Sequence, residues 1–180
     1  MSSEPRPKLA RRVLTGVNAE GRSVIVSDAE TPTWVRRPTG SVVMDVWRAG
    51  SLPAHVDDEP AEDGELVLAP AAAGVCVRIA VFPPDKDIDA ADAAAYETAM
   101  QEIYGDQGDP SPGEVAGMHR TDTIDIVTVV DGEIWVVMEE GETPLQAGDC
   151  LVQRGTRHAW RNRSDRPCTL ATTMLAAVRS

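Results

Sequence analysis

Two short stretches, Ile124 to Val130 and Glu133 to Met138, concentrate β-branched and apolar residues on either side of Asp131-Gly132. Such stretches predict strands, and Asp-Gly suits a two-residue type I′ hairpin turn. Further runs predict strands at Arg11 to Thr15, Ser23 to Ser27, Ser41 to Arg48, Val75 to Phe82 (a strong one), Cys150 to Val152, His158 to Asn162 and Cys168 to Ala176. Pro83-Pro84 ends the fourth of these, because proline offers no ladder donor. One segment departs from the pattern. Ile88 to Tyr104 is rich in helix formers and repeats Ile88, Ala91, Ala95, Ala99 and Ile103 at helical spacing. Its alanine face can lie close against a sheet, and the helix is expected either to cap one end of the barrel and gate the pocket or to decorate the surface.

The resulting architecture is all-β: an antiparallel barrel or sandwich with one inserted helix. Residues 1–10 are expected to be a flexible N-terminus and 11–180 a single domain. Within it, N-terminal strands occupy 11–82, the helical insertion 88–104, and an antiparallel meander 114–176. Ala49 to Glu65 and Gly105 to Gly113 read as loops.

Alternation also assigns faces, since side chains two apart on a strand point the same way. His119, Thr121, Thr123, Asp125, Val127 and Val129 share one face. The hairpin register would set Asp125 opposite Met138 and bring Ile134, Val136 and Met138 onto that face. His158 and Trp160 share a face on a later strand. The interior is thus expected to be apolar except around His119, Asp125 and His158, with Thr121, Thr123, Val127, Val136, Met138 and Trp160 lining a pocket.

Composition narrows the function. The chain has 180 residues, 42% of them hydrophobic, but only one Phe, two Tyr and four Trp, so aliphatic residues must fill the core. A formal charge of −12 argues against binding a nucleic-acid backbone. The acidity is clustered, in Asp57 to Glu65 and Asp85 to Asp109, and reads as solvated surface. Cys76, Cys150 and Cys168 show no paired spacing and are expected to act as small buried hydrophobes. His55, beside the acidic run, reads as a surface residue. With no apolar leader and no run long enough for a membrane span, a reducing cytoplasm is expected. No phosphate-binding glycine loop is present.

Two histidines and one carboxylate in an apolar interior form a donor set that suits a divalent ion with open positions. The surrounding residues add a resemblance. Gly113 or Gly117, His119, Thr121, Asp125 and Gly132, followed by Gly148, Gln153, Gly155, His158 and Asn162, resemble the two motifs of the cupin superfamily. That resemblance implies a small jelly-roll-like β-barrel holding a metal (Fe, Mn, Ni, Co or Zn) for dioxygenase, isomerase, decarboxylase or dehydratase chemistry on a small oxygenated molecule. It implies His119, Asp125 and His158 as ligands and catalytic residues. Thr121 stands where the family carries a second histidine, Asp125 where it carries glutamate, and Gln153 where it carries proline. Two alternatives follow: a metal-free enzyme using His158 and Asp125 as acid–base groups, or a cupin that binds a small ligand without turnover. A homodimer through the N-terminal strands, covering Trp34, Trp47 or Trp135, is the expected assembly.

Overall fold

The computed structural model describes residues 5–58, 66, 67, 69–104 and 115–179; most of the first acidic cluster and the loop after the helix lie outside them. The described residues form eleven strands and one α-helix. The N-terminal half contains β1 (Arg11–Val17), β2 (Ser23–Glu30), β3 (Thr33–Arg36), β4 (Val42–Ala49) and β5 (Val75–Phe82), then α1 (Ala90–Tyr104). The C-terminal half contains β6 (Thr123–Asp131), β7 (Glu133–Met138), β8 (Glu142–Gln146), β9 (Cys150–Arg154), β10 (His158–Arg161) and β11 (Cys168–Ala176). A six-stranded sheet runs β3-β4-β5-β11-β6-β9, a three-stranded sheet runs β10-β7-β8, and β1-β2 form a separate pair. All pairings within these sheets are antiparallel. The larger sheets enclose one core, in which Val127 and Val129 of β6 and Leu170 of β11 meet Ile134 and Val136 of β7 and Leu145 of β8. This is the all-β jelly-roll arrangement, with the sheets facing each other but not joined into a closed cylinder.

The Asp131-Gly132 reversal corrects the predicted hairpin. β6 is flanked by β9 and β11, whereas β7 pairs with β8 and β10, so the turn carries the chain from one sheet to the other. Asp125 therefore lies opposite Gln153 and Met174, and it is His158 that lies opposite Met138. Gly132 has φ 84°, and a Cβ there would come within 2.7 Å of the Pro167 carbonyl oxygen. Glycine is required because the crossing chain runs against β11. The predicted inward faces survive, since burial between two sheets imposes the same alternation as a hairpin face.

Two strands escaped the sequence reading. β3 is a four-residue edge strand between prolines, and β8 carries Pro144 at the edge of the smaller sheet. Both use the edge position that tolerates proline and polar composition.

Helix α1 begins two residues later than expected, because Asp89 Oδ1 accepts hydrogen bonds from the amides of Ala91 and Asp92 at 2.8 Å. Its inner face also differs from the expected alanine stripe: Ala91 and Ala95 are exposed, while Met100 is buried and Tyr96 half-buried. The larger side chains bury more apolar area per residue than alanine, so they set the helix rotation. At the N-terminus, Leu9 is buried against Val42 and Met44, and Arg36 Nη2 donates to the Pro5 carbonyl at 2.7 Å. The described part of the expected flexible N-terminus is thus attached to the domain.

Candidate active site

His119 precedes β6 and His158 opens β10, yet their backbones form a mutual bridge. The His119 amide donates to the His158 carbonyl at 3.0 Å, and the reverse bond is 2.9 Å. The bridge holds the two imidazoles with centroids 4.5 Å apart. His119 Nδ1 lies 2.9 Å from the Gly117 carbonyl oxygen, and His158 Nδ1 lies 3.0 Å from that of Thr156. A carbonyl can only accept, so each Nδ1 carries the proton and each Nε2 the lone pair. Trp160 meets the His158 ring edge-on with centroids 5.6 Å apart, fixing its plane.

The glycine and glutamine of the second motif shape this arrangement. Gly155 has φ 59°, and a Cβ there would lie 2.9 Å from the Thr121 carbonyl oxygen. Glycine thereby lets the β9–β10 turn approach the chain between His119 and β6. Buried Gln153 donates through Nε2 to the Thr156 carbonyl at 2.8 Å, steadying the turn that carries the His158 partner. Asn162 is buried and fully engaged: its Nδ2 donates to the carbonyls of Phe82 and Arg166, and its Oδ1 accepts from Ser164. It ties the end of β10 to the end of β5.

Two adjacent hollows open beneath α1, with volumes of about 120 and 220 Å³. Both have His119, Tyr96, Phe82 and Trp160 in their walls. The smaller, inner one adds His158, Asp125, Thr121 and Val127. Of the expected pocket residues, Thr121, Val127 and Trp160 therefore line it. Thr123, Val136 and Met138 do not: Val136 and Met138 pack in or against the apolar core, and Thr123 Oγ1 lies 2.6 Å from Thr121 Oγ1. Tyr96 and Met100 also belong to the inner wall, so α1 roofs the hollow.

Burial governs the charges. It holds His119 down to about 3, reinforced by the neighbouring His158 and opposed by the Gly117 carbonyl. It also lowers His158, against the bond to Thr156. The Asp125 carboxyl is pushed upward by burial, opposed by the Thr123 hydroxyl and the Arg78 charge, and its Oδ1 has no hydrogen-bond partner among the described residues. The hollow therefore holds two neutral imidazoles and a carboxyl biased toward its protonated form.

As a metal centre the arrangement is incomplete. Neutral imidazoles oriented through Nδ1–carbonyl bonds suit ligation through Nε2. Among the described residues, however, no three His, Cys, Asp or Glu side chains come together as a group able to hold an ion. His119 and His158 meet; Asp125, one methylene shorter than glutamate, faces the same hollow without joining them.

Sequence reasoning missed the cations. Arg78, the only charged residue in the apolar run of β5, lines the inner hollow and pairs with buried Asp45 at 3.1 Å. That isolated charge was a readable signal. Arg37, also in the inner wall, stands in a turn whose sequence gives no hint of its role. The cysteines divide: Cys168 is buried and its thiol is pushed up to about 11. Cys76 is buried but joins the Asp45–Arg78 cluster, and Cys150 is exposed, because its strand is the outer edge. Trp47 lies outside both hollows, and Trp135 faces outward, capped by the Arg163 guanidinium 4.6 Å from its ring centroid. His55 is exposed, as expected. No described helix is long and apolar enough to cross a membrane.

Residues 109–175 match the family model described as Cupin domain. Phomopsin biosynthesis cluster protein C' of Diaporthe leptostromiformis is 54% identical over 57 residues, which cover 31% of this chain and 30% of that protein. The chain thus matches under a third of that relative's length. The cupin-domain-containing oxidoreductase srdB of Neurospora crassa is 29% identical over 171 residues, covering 91% of this chain and 72% of that protein. Among solved structures, a putative ethanolamine utilization protein from Salmonella typhimurium is 11% identical, with a TM-score of 0.45 over 96% of this chain and 100% of that one. Both histidines, Asp125 and the glycines that shape their turns fall inside the segment that matches the cupin domain.

Proposed function

We propose that this chain is a cupin enzyme that moves protons on a small oxygenated organic molecule (an acid, carbonyl or enol) held under α1. The observation that carries this reading is that one hollow holds both an unprotonated His158 Nε2 and the Asp125 carboxyl, pushed upward by burial. A base and an acid whose environments hold them in opposite protonation states suit proton abstraction at one atom and delivery at another. His158 takes the proton. His119, also held neutral by burial, accepts a hydrogen bond from the substrate. Trp160, Phe82 and Tyr96 exclude water and present flat apolar walls. Isomerisation, decarboxylation and dehydration all require such transfers. The srdB relative is named a cupin-domain-containing oxidoreductase, which keeps redox chemistry among the reactions to be tested.

The test is deuterium incorporation next to the carbonyl of small 2-oxo and 3-oxo acids in heavy water, followed by NMR. Exchange should survive chelation and vanish in His158→Ala. Exchange that persists in His158→Ala would remove the proposal.

One observation favours a second reading, with metal. Asp125 Oδ1 is a buried oxygen without a hydrogen-bond partner among the described residues, and both imidazoles are oriented for ligation. His119, His158 and, after rearrangement, Asp125 would hold a divalent ion, which would polarise a substrate oxygen. Elemental analysis of untagged protein beside His119→Ala and His158→Ala decides this; equal, sub-stoichiometric metal in all three ends it. Ligand-induced stabilisation without turnover would instead select a binding protein.

The β1–β2 pair exposes Val13, Val17, Ile25 and Val26, an apolar surface on a two-stranded sheet of marginal stability alone. A second copy of the chain covering this pair is the proposed assembly. A monomeric mass by light scattering would contradict it.

A further inference from the structure

Most cations bordering the two hollows are committed to the protein. Arg78 pairs with Asp45 and donates to the Val67 carbonyl, and Arg161 donates to the carbonyls of Trp160 and Ala116. Arg37 differs. It lies in the inner wall with both imidazoles, half-buried, and its guanidinium makes no hydrogen bond or ion pair with any described residue. Its position is set by the β3–β4 turn, where the Arg37 amide donates to the Ser41 carbonyl at 2.8 Å and the Gly40 amide to the Arg37 carbonyl at 2.9 Å. The same turn adds two hydroxyls: Thr39 and Ser41 line the outer hollow, 3.1 Å apart, and Ser41 lines the inner one too.

A half-buried guanidinium without a protein acceptor keeps its donors open, and a ligand anion can take them in place of water. Its planar fork matches a carboxylate or another two-oxygen anion, and adjacent hydroxyls can donate to the same group. The acidic side chains nearby do not fill this role. Asp85 and Glu97 border the outer hollow, where Asp85 accepts from the Asn162 amide, and Asp125 is in the inner wall without an ion pair to Arg37.

We infer that Arg37, with Ser41 and Thr39, is the seat for a carboxylate on the ligand of this hollow, so that the substrate is an organic anion held by its charged end at the β3–β4 turn. This names the substrate class of the proton-transfer reading and rests on it for the reacting end, at His158 and Asp125. The seat lies outside the segment that matches the cupin family, so the imidazoles come from the shared core and the charge selection from this chain's N-terminal hairpin.

Binding without turnover tests it. Three acids (benzoate, 3-phenylpropanoate and acetoacetate) are titrated against their uncharged amides by calorimetry or ligand-observed NMR. At least one acid should bind about tenfold or more tightly than its amide. In Arg37→Gln that preference should collapse to about onefold while amide binding is retained; Arg166→Gln, an exposed arginine paired with Asp131 and in the wall of neither hollow, should keep it. If Arg37→Gln does not fold, Arg37→Lys reports instead: loss of the planar fork should lower the preference about threefold. No preference for any acid in the parent protein, or an unchanged preference in the readable variant, overturns the seat. A preference that depends on Arg37 without deuterium exchange overturns only the enzyme reading, and exchange without that preference overturns only the seat.

Discussion

Strand β6 passes through two environments with one alternating pattern. At its C-terminal end Val127 and Val129 point into a core completed by Ile134, Val136, Leu145 and Leu170, all nearly inaccessible. At its N-terminal end the inward residues are Thr123 and Asp125, beside Thr121 and the two histidines. The backbone is continuous, so the difference lies in what faces the strand. The core end is closed by β7 and β8 at packing distance. The polar end is roofed by α1, which leaves a hollow; there the imidazoles bond to the Gly117 and Thr156 carbonyls and Thr121 to Thr123, while Asp125 Oδ1 has no hydrogen-bond partner among the described residues. Stability resides at the closed end and chemistry at the roofed one. The two should therefore respond oppositely to substitution and to pH.

The largest effect should come from acid. Imidazoles held neutral in the folded state must be charged to follow the unfolded chain, so the unfolded state binds more protons below the ordinary value of 6.5. Stability is full above 6.5 and falls as pH drops toward about 3, by on the order of 4 kcal/mol for His119 alone. Urea titrations from pH 7 to 4 should show this slope, and His119→Gln should flatten it. An identical slope in the variant would show that acid acts elsewhere. Next, Ile134→Ala at the closed end should cost about 3 kcal/mol through lost burial and a residual cavity, with ligand affinity unchanged. A matching fall in affinity would mean that the two ends are not separable. Asn162→Ala should follow at about 2 kcal/mol, because it leaves the Phe82 and Arg166 carbonyls without a donor. Denaturant midpoints measure both.

Much of this division was legible in the chain. Alternation identified nine of the eleven strands' positions in outline and the inward face of β6, because period-two burial is imposed by any apposed sheet. The glycines and histidines identified the site, because a turn that approaches a neighbouring backbone leaves few alternatives to glycine at Gly155. Other features depend on tertiary partners and had no local signature. Asp131-Gly132 is chemically a hairpin turn, and only the occupation of both β6 edges by β9 and β11 makes it a crossing between sheets. The rotation of α1 was misjudged because alanine spacing is a weak guide where Tyr96 and Met100 offer more area to bury. Arg37 was invisible for a similar reason: a cation in a turn gains meaning only from the hollow that another part of the chain builds beside it.

The smallest predicted change is the most specific to the polar end. Asp125 is buried, its carboxyl is biased toward protonation, and one oxygen lacks a hydrogen-bond partner among the described residues. A carboxyl whose folded-state value is raised makes the folded protein bind more protons than the unfolded chain just above 3.8. Its contribution is therefore favourable at low pH and lost as pH rises through the folded value. Asp125→Asn removes that loss while keeping the shape, and should stabilise the protein at pH 8 by about 1 kcal/mol, with a smaller gain at pH 4. Deuterium exchange should nevertheless fall, because the amide has no acidic proton to deliver at the reacting end. A destabilised variant at pH 8 would show that the ionised carboxylate is held by a partner, and Asp125 would then belong with the structural residues of the core.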